Sequence, residues 1–215
     1  RQAALSKTQT LFSVKLPGTF DPERAYPLFI VLHGGGSNLN KAMKRWIYTA
    51  ALNSKYIMMY VQSYRHYDTK SFGWRSSDSR AHRELKHCLD TVLKAYRVDP
   101  GQIYIGGVSA GGTMAFDLAI KDILPIRGVF AICPGKPAWL EDSDLKNRNF
   151  KVYMVGGEHD HYLKKQEEMT LFFKKHAIPC HYEIISGMKH EFVKDYRSHL
   201  TKALGFIGFT EGRDK

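Results

Sequence analysis

The run Gln102–Gly112 (QIYIGGVSAGG) leaves the backbone few choices. A short apolar stretch rich in β-branched residues meets a set of glycines. It then passes without a linker into Ala110–Ile120 (AGGTMAFDLAI), whose pattern suits a helix. A strand that becomes a helix across one residue, Ser109, needs its flanks empty. A side chain at Gly107 or Gly111 would collide with the neighbouring strand or helix, and glycine has none.

The same strand–turn–helix unit recurs along the chain. Pro27–His33 (PLFIVLH) is a continuous apolar run, as a strand buried on both faces requires, and it stops at Gly34-Gly35-Gly36-Ser37-Asn38. Residues from about 40 to 53 carry helical periodicity through Met43, Trp46, Ile47, Ala50 and Ala51. Leu11–Leu16, Tyr56–Gln62, Arg127–Cys133, Lys151–Val155 and His181–Ile185 read as further strands. Helices are expected over Asp78–Tyr96, Tyr162–His176 and Glu191–Leu204, and Asp99-Pro100-Gly101 reads as a turn before the strand Gln102–Val108. Strands alternating with helices predict an α/β fold with a mostly parallel central sheet and helices on both faces. With 215 residues, no repeat, no low-complexity tract and no linker, the expectation is a single domain over 1–215 without a large lid domain.

Composition narrows the function classes. No run approaches the roughly 18 apolar residues of a membrane-spanning helix. The formal charge of +11 raises a nucleic-acid reading, but the Lys and Arg are spread along the chain and no nucleic-acid motif accompanies them. A solvated basic surface with some attraction for acidic substrates is the expectation, and no nucleic-acid partner. Cys88, Cys133 and Cys180 lack CxxC spacing and read most simply as buried thiols. The chain starts at Arg1 and not Met, which is compatible with a removed signal peptide; a cytoplasmic setting is favoured over a secreted one.

Gly107-Val108-Ser109-Ala110-Gly111 matches G-x-S-x-G in the context that gives the pattern meaning, a strand before and a helix after. Such a turn pushes the serine hydroxyl out above the sheet, facing the positive N-terminal end of the next helix. The competing reading is a glycine-rich turn with an incidental serine. A phosphate cradle is excluded on specifics. A P-loop needs Lys before its Ser or Thr, whereas Gly112 precedes Thr113 directly, and the glycines are out of G-x-G-x-x-G register.

A nucleophilic serine needs donors for the oxyanion of a tetrahedral intermediate. His33-Gly34-Gly35-Gly36 suits that task, with the Gly35 N–H as first choice and Gly36 the alternative, beside the N–H of Ala110. His33 precedes the serine, whereas the base comes last in this arrangement, so it reads as a structural group holding the glycine turn by hydrogen bonds. After strand KVYMV, the segment Gly156-Gly157-Glu158-His159-Asp160-His161 offers Asp160 as the acid, with Glu158 the alternative. The His159-Asp160-His161 cluster also suggests a metal, but adjacent loop residues seldom converge on one ion, so none is expected. Of ten histidines, His190 lies where the base belongs, between the last strand and the C-terminal helix. His181 falls within that strand and His199 well inside the last helix, facing away from the site. Trp74, in the loop after a strand, is a candidate to line the acyl or alcohol pocket, with plain packing an equal reading.

With these pieces in place the chain resembles the α/β-hydrolase superfamily, and within it small serine esterases of the polyhydroxybutyrate-depolymerase, feruloyl-esterase and phospholipase/carboxylesterase type. The residues that carry the resemblance are LHGGGSN (32–38), FGW (72–74), YRVDPGQIYIGGVSAGGTMA (96–115), GGEHDHYL (156–163) and GMKHEF (187–192). It implies a triad of Ser109, Asp160 and His190, oxyanion donors at Gly35 and Ala110, cleavage of small or medium carboxylic esters, and no cofactor. The secreted polymer-degrading members usually carry disulfides and a binding extension, neither of which is evident here, so insoluble polymers are not expected substrates. Two rival readings stand beside this one. One is a peptidase or thioesterase using the same triad, disfavoured for peptidases because they usually add a propeller or cap. The other is a non-catalytic hydrolase fold used for binding, disfavoured because all three triad positions are filled.

Overall fold

The computed structural model describes residues 10–46, 52, 55–141, 145–147 and 149–208. Its strands are β1 (Leu11–Lys15), β2 (Tyr26–Leu32), β3 (Ile57–Gln62), β4 (Val98–Val108), β5 (Gly128–Ile132), β6 (Lys151–Gly157) and β7 (Cys180–Ile185). The helices are α1 (Leu39–Arg45), α2 (Ser79–Ala95), α3 (Ala110–Ile120), α4 (Leu163–Lys175) and α5 (Tyr196–Ile207). The seven strands form one sheet in the order β1-β3-β2-β4-β5-β6-β7. Only β1 is antiparallel to its neighbour; every other pairing is parallel.

Two buried clusters, one on each face, explain why the central strands are apolar throughout. Alternate residues of β2 divide between them. Leu28, Ile30 and Leu32 meet α2, α3 and α4, whereas Phe29 and Val31 meet α1 and α5. The amphipathic α2 shows the single-faced case, burying Ala81, Leu85, Cys88, Leu89 and Val92, and its N-cap Asp78 accepts from the N–H groups of Arg80 and Ala81. Helix α3 is buried nearly all round from Gly111 onward, as expected of a central helix. None of the helices among the described residues is long and apolar enough to cross a membrane.

Sheet order places the site. The chain runs outward from β2 to β3, then crosses back over β2 to β4, so the order reverses between β2 and β4. The crevice at the C-terminal ends of strands flanking such a reversal is where open α/β sheets bind ligands. His33-Gly34-Gly35 leaves β2 there, and Ser109 leaves β4 beside it.

Three elements differ from their expected bounds by more than two residues. Strand β4 begins at Val98 instead of Gln102, running through Asp99-Pro100-Gly101 as a bulge. Tyr26 pairs with Val98 and Leu28 with Ile103, so β4 spends more residues than β2 over that step. The turn chemistry survives inside the bulge, where Asp99 accepts from the Gly101 N–H at 2.8 Å. Helix α1 ends at Arg45 with Trp46 as its C-cap; the expected continuation through Ile47, Ala50 and Ala51 lies outside the described residues. Helix α5 starts at Tyr196 and not Glu191, capped by Asp195. The apolar Phe192 and Val193, which mimic a helical stripe, are loop residues that pack against the same face as α5.

Candidate active site

Ser109 sits at φ 53° and ψ −121°, a left-handed backbone that costs a non-glycine residue about 1–3 kcal/mol and persists only where the surroundings enforce it. They do so here. Its N–H donates to the Ile132 carbonyl of β5 at 2.8 Å, and its carbonyl accepts from the Thr113 N–H at 3.0 Å. A Cβ on Gly107 would press into the backbone of Gly111 and Gly112. One on Gly111 would press into the Leu32 and His33 carbonyls of the β2 end. The flanking glycines are therefore obligatory, for the steric reason expected. Ser109 is the N-cap of α3, whose dipole favours negative charge at the hydroxyl.

His190 reaches this hydroxyl from the loop after β7. Its Nε2 lies 2.8 Å from Ser109 Oγ and its Nδ1 2.8 Å from Asp160 Oδ1. With Nδ1–H donating to the carboxylate, Nε2 is left as the acceptor for the serine proton. The three residues expected to meet at one rim of the sheet thus form a continuous hydrogen-bonded chain.

Asp160 follows β6 and its carboxyl group is fully buried. Oδ1 also accepts from the Tyr162 N–H and Oδ2 from Gln166 Nε2, both at 2.8 Å. Burial alone would raise its pKa, but the hydrogen bonds from Tyr162, Gln166, His190 and Cys133 outweigh it and hold the carboxyl below its usual range. Glu158 is not brought to this chain. It accepts from Ser186 Oγ and the Gly187 N–H, both at 2.8 Å, and so ties β6 to the β7 loop. His181 lies in β7 and His199 in α5, as expected.

Gly35 and Ala110 adjoin: a Cβ on Gly35 would stand 3.6 Å from that of Ala110. Ala110 is the first residue of α3, where an N–H has no partner within the helix. No acceptor for the Gly35 N–H occurs among the described residues. Gly36, the alternative donor, is corrected. Its N–H is committed to the Phe72 carbonyl at 2.9 Å, and Phe72 N–H returns to the Ser37 carbonyl at 2.8 Å. This small antiparallel bridge clamps the glycine turn to residues 72–74.

Trp74 belongs to the same clamp. It is nearly buried, its Nε1 donates to the His33 carbonyl at 2.9 Å, and its ring lies 5.1 Å from the His33 ring. It also borders a cleft beside Ala110. His33 uses both ring nitrogens, one to the Gly34 carbonyl at 2.7 Å and the other accepting from the Ser63 N–H at 3.1 Å. Burial lowers its pKa to about 4, the Gly34 bond opposing only in part, so the imidazole is neutral at neutral pH.

Sequence reasoning missed Gln166 and Cys133. Gln166 is fully buried, held by Tyr182 Oη donating to its Oε1 at 2.7 Å, and occupies an otherwise apolar stripe with Met169 and Phe173. A glutamine on that stripe, six residues after the acid, is the one signal that could have found it. Cys133, expected only as a buried thiol, lies beside Asp160; burial and the neighbouring carboxylate push it up to about 12. Cys133, Asp160 and His190 have ligand atoms within 4.8 Å of one another. They fit a metal poorly, because the thiol stays protonated at neutral pH and both imidazole nitrogens are engaged by the serine and the carboxylate. All three cysteines are free.

A family model described as an alpha/beta hydrolase domain matches residues 25–206. No curated protein matches the sequence. Among solved structures, esterase PE8 superposes with a TM-score of 0.78 at 15% identity, over 94% of this chain and 100% of that one. A ferulic acid esterase gives 0.74 at 17% identity, over 92% and 91%. A putative dipeptidyl aminopeptidase IV from Bacteroides ovatus gives 0.74 at 17% identity, over 94% of this chain but 34% of that one. At such identities the likeness is one of fold.

Proposed function

We propose that this chain, which belongs to the alpha/beta hydrolase family, is a serine esterase that cleaves small or medium carboxylic esters through an acyl-enzyme on Ser109. The observation that carries the reading is the Ser109–His190–Asp160 hydrogen-bond chain, with both links at 2.8 Å. In the first step His190 Nε2 takes the Ser109 proton as Oγ attacks the ester carbonyl carbon, and the carbonyl electron pair moves onto oxygen. The N–H groups of Gly35 and Ala110 receive that oxyanion. The intermediate collapses with cleavage of the C–O bond, and His190 returns its proton to the departing alcohol. Water, deprotonated by His190, then attacks the acyl-enzyme and releases the acid along with free Ser109. Asp160 holds the productive tautomer and stabilises the imidazolium without taking the proton. No step calls for a cofactor. Names of fold neighbours such as esterase PE8 and ferulic acid esterase accord with ester chemistry.

The test is hydrolysis of para-nitrophenyl acetate and butyrate by the parent and Ser109→Ala, together with labelling by a fluorophosphonate. The expected result is turnover and labelling by the parent and loss of both in the variant, by roughly 10³-fold or more in kcat. Equal turnover by both proteins overturns the assignment. Including a thioester and an aminoacyl amide in the panel separates esterase from thioesterase or peptidase action.

A further inference from the structure

Beside Ala110 a cleft of about 240 Å³ opens between Trp74, Thr113 and Tyr162, and three cations line it: Arg75, Lys136 and Lys165. They come from three separate elements, the loop after β3, the loop after β5 and the first turn of α4. No Asp or Glu is among the lining residues that the structure describes. Glu168 pairs with Lys136 at 2.7 Å from outside the cleft and lies near enough for Lys165 to act on its charge too, so one acid faces three cations and the described side chains leave the cleft in cationic excess.

What sets this cleft apart from the general basic surface is its place beside the proposed oxyanion donor and how the Arg75 segment is held there. Fully buried Asp117, on α3, accepts from the Ser77 N–H at 2.7 Å, and Lys121 Nζ donates to Ser77 Oγ at 2.9 Å. The loop that carries Trp74 and Arg75 is thus tied to the helix that carries the proposed oxyanion donor.

We infer that this cleft binds a carboxylate on the substrate, so that the preferred esters carry a negative charge on their acyl or alcohol part. The inference rests on the esterase reading above, and the experiment separates the two. At low ionic strength, kcat/KM is measured for two matched pairs: para-nitrophenyl hemiglutarate against the butyrate for the acyl side, and para-acetoxybenzoate against para-acetoxybenzamide for the alcohol side. The expected result is a preference of about tenfold or more for the anion in at least one pair. That preference shrinks in 0.5 M salt, a concentration chosen to shorten the screening length to a few ångströms. It falls at least about fivefold in the Arg75→Glu, Lys165→Glu double variant. Lys202→Gln, on α5, removes one cation from a different face and leaves the ratio unchanged. Turnover of the neutral esters without preference for either anion, or a preference that survives the double variant, overturns the inference and leaves the esterase reading standing. Absence of turnover for every ester overturns both.

Discussion

Gln166 shows how one side chain can set the electrostatics of a site through a single hydrogen bond to its acid. It spans Tyr182 and Asp160, and Gly156 leaves the space its amide fills, because a Cβ there would overlap Gln166 Oε1. Replacing it with leucine removes a donor from a buried carboxylate, a loss that costs about 1–3 kcal/mol. For a carboxyl held below its ordinary pKa, the ionised form is the favoured one above that value and is lost as pH falls through it. With one of the bonds that outweigh burial gone, the Asp160 pKa in the folded protein rises. The acid limb of activity in Gln166→Leu should therefore shift to higher pH, with kcat at neutral pH reduced about tenfold. An unchanged pH–rate profile alongside reduced stability would leave Gln166 a purely structural residue. The contrast with Asp160 itself is instructive about legibility. Asp160 and His190 are legible because each lies just past the end of a readable strand, on the rim where Ser109 emerges. Cys133 and the Gly36–Phe72 bond are set by contacts between distant segments, which no local pattern announces, and Gln166 is announced only by its place on an apolar stripe.

At the scale of elements, the β4–α3 junction and α5 meet an added methyl group in opposite ways. The Gly111 position faces two β2 carbonyls that cannot move without disturbing the sheet, so Gly111→Ala should destabilise by ~2–3 kcal/mol and lower Tm by roughly 4–12 °C. Gly205 lies exposed inside α5, and a Cβ there meets nothing within 4 Å. Gly205→Ala should stabilise by ~0.5–1 kcal/mol through helix propensity and raise Tm by roughly 1–4 °C. Thermal denaturation of the two variants beside the parent checks both signs, and a shift in the same direction for both would contradict the packing argument. Element legibility follows the same logic. Strands buried on both faces betray themselves as unbroken apolar runs, and α2 by its single apolar stripe. The start of α5 is misplaced by several residues because Phe192 and Val193 have core-facing loop positions that imitate helical spacing. The extension of β4 escapes because Asp99-Pro100-Gly101 has turn chemistry whether it ends a strand or bulges within one.

At the scale of the whole molecule, the fold carries its own acid sensitivity, and His33 supplies a defined part of it. Both cores meet at a sheet in which β2 runs directly into this buried imidazole, neutral because burial lowers its pKa from 6.5 to about 4. Between those values the unfolded chain binds a proton that the folded one refuses, so stability rises with pH through the window. The full contribution is present above about pH 6.5 and has been forfeited below about pH 4. A shift of that size corresponds to ~3 kcal/mol over the whole window, of which ~2 kcal/mol is lost by pH 5. Carboxylates held below their usual range, Asp78, Glu84, Asp160 and Glu183 among them, act in the same sense, and their stabilisation is lost only as pH falls further, from the ordinary carboxylate range down through their own lowered values. The chain also carries a formal charge of +11, so self-repulsion grows as acid is added. His33→Gln isolates the one term, because glutamine keeps hydrogen-bonding groups at the turn but has no proton to gain, while every other charge stays the same. Urea unfolding at pH 7.5 and pH 5.0 should show the parent losing ~2 kcal/mol more than the variant across that interval. Equal losses in the two proteins would mean that the acid limb belongs to net charge and not to the imidazole beneath the glycine turn.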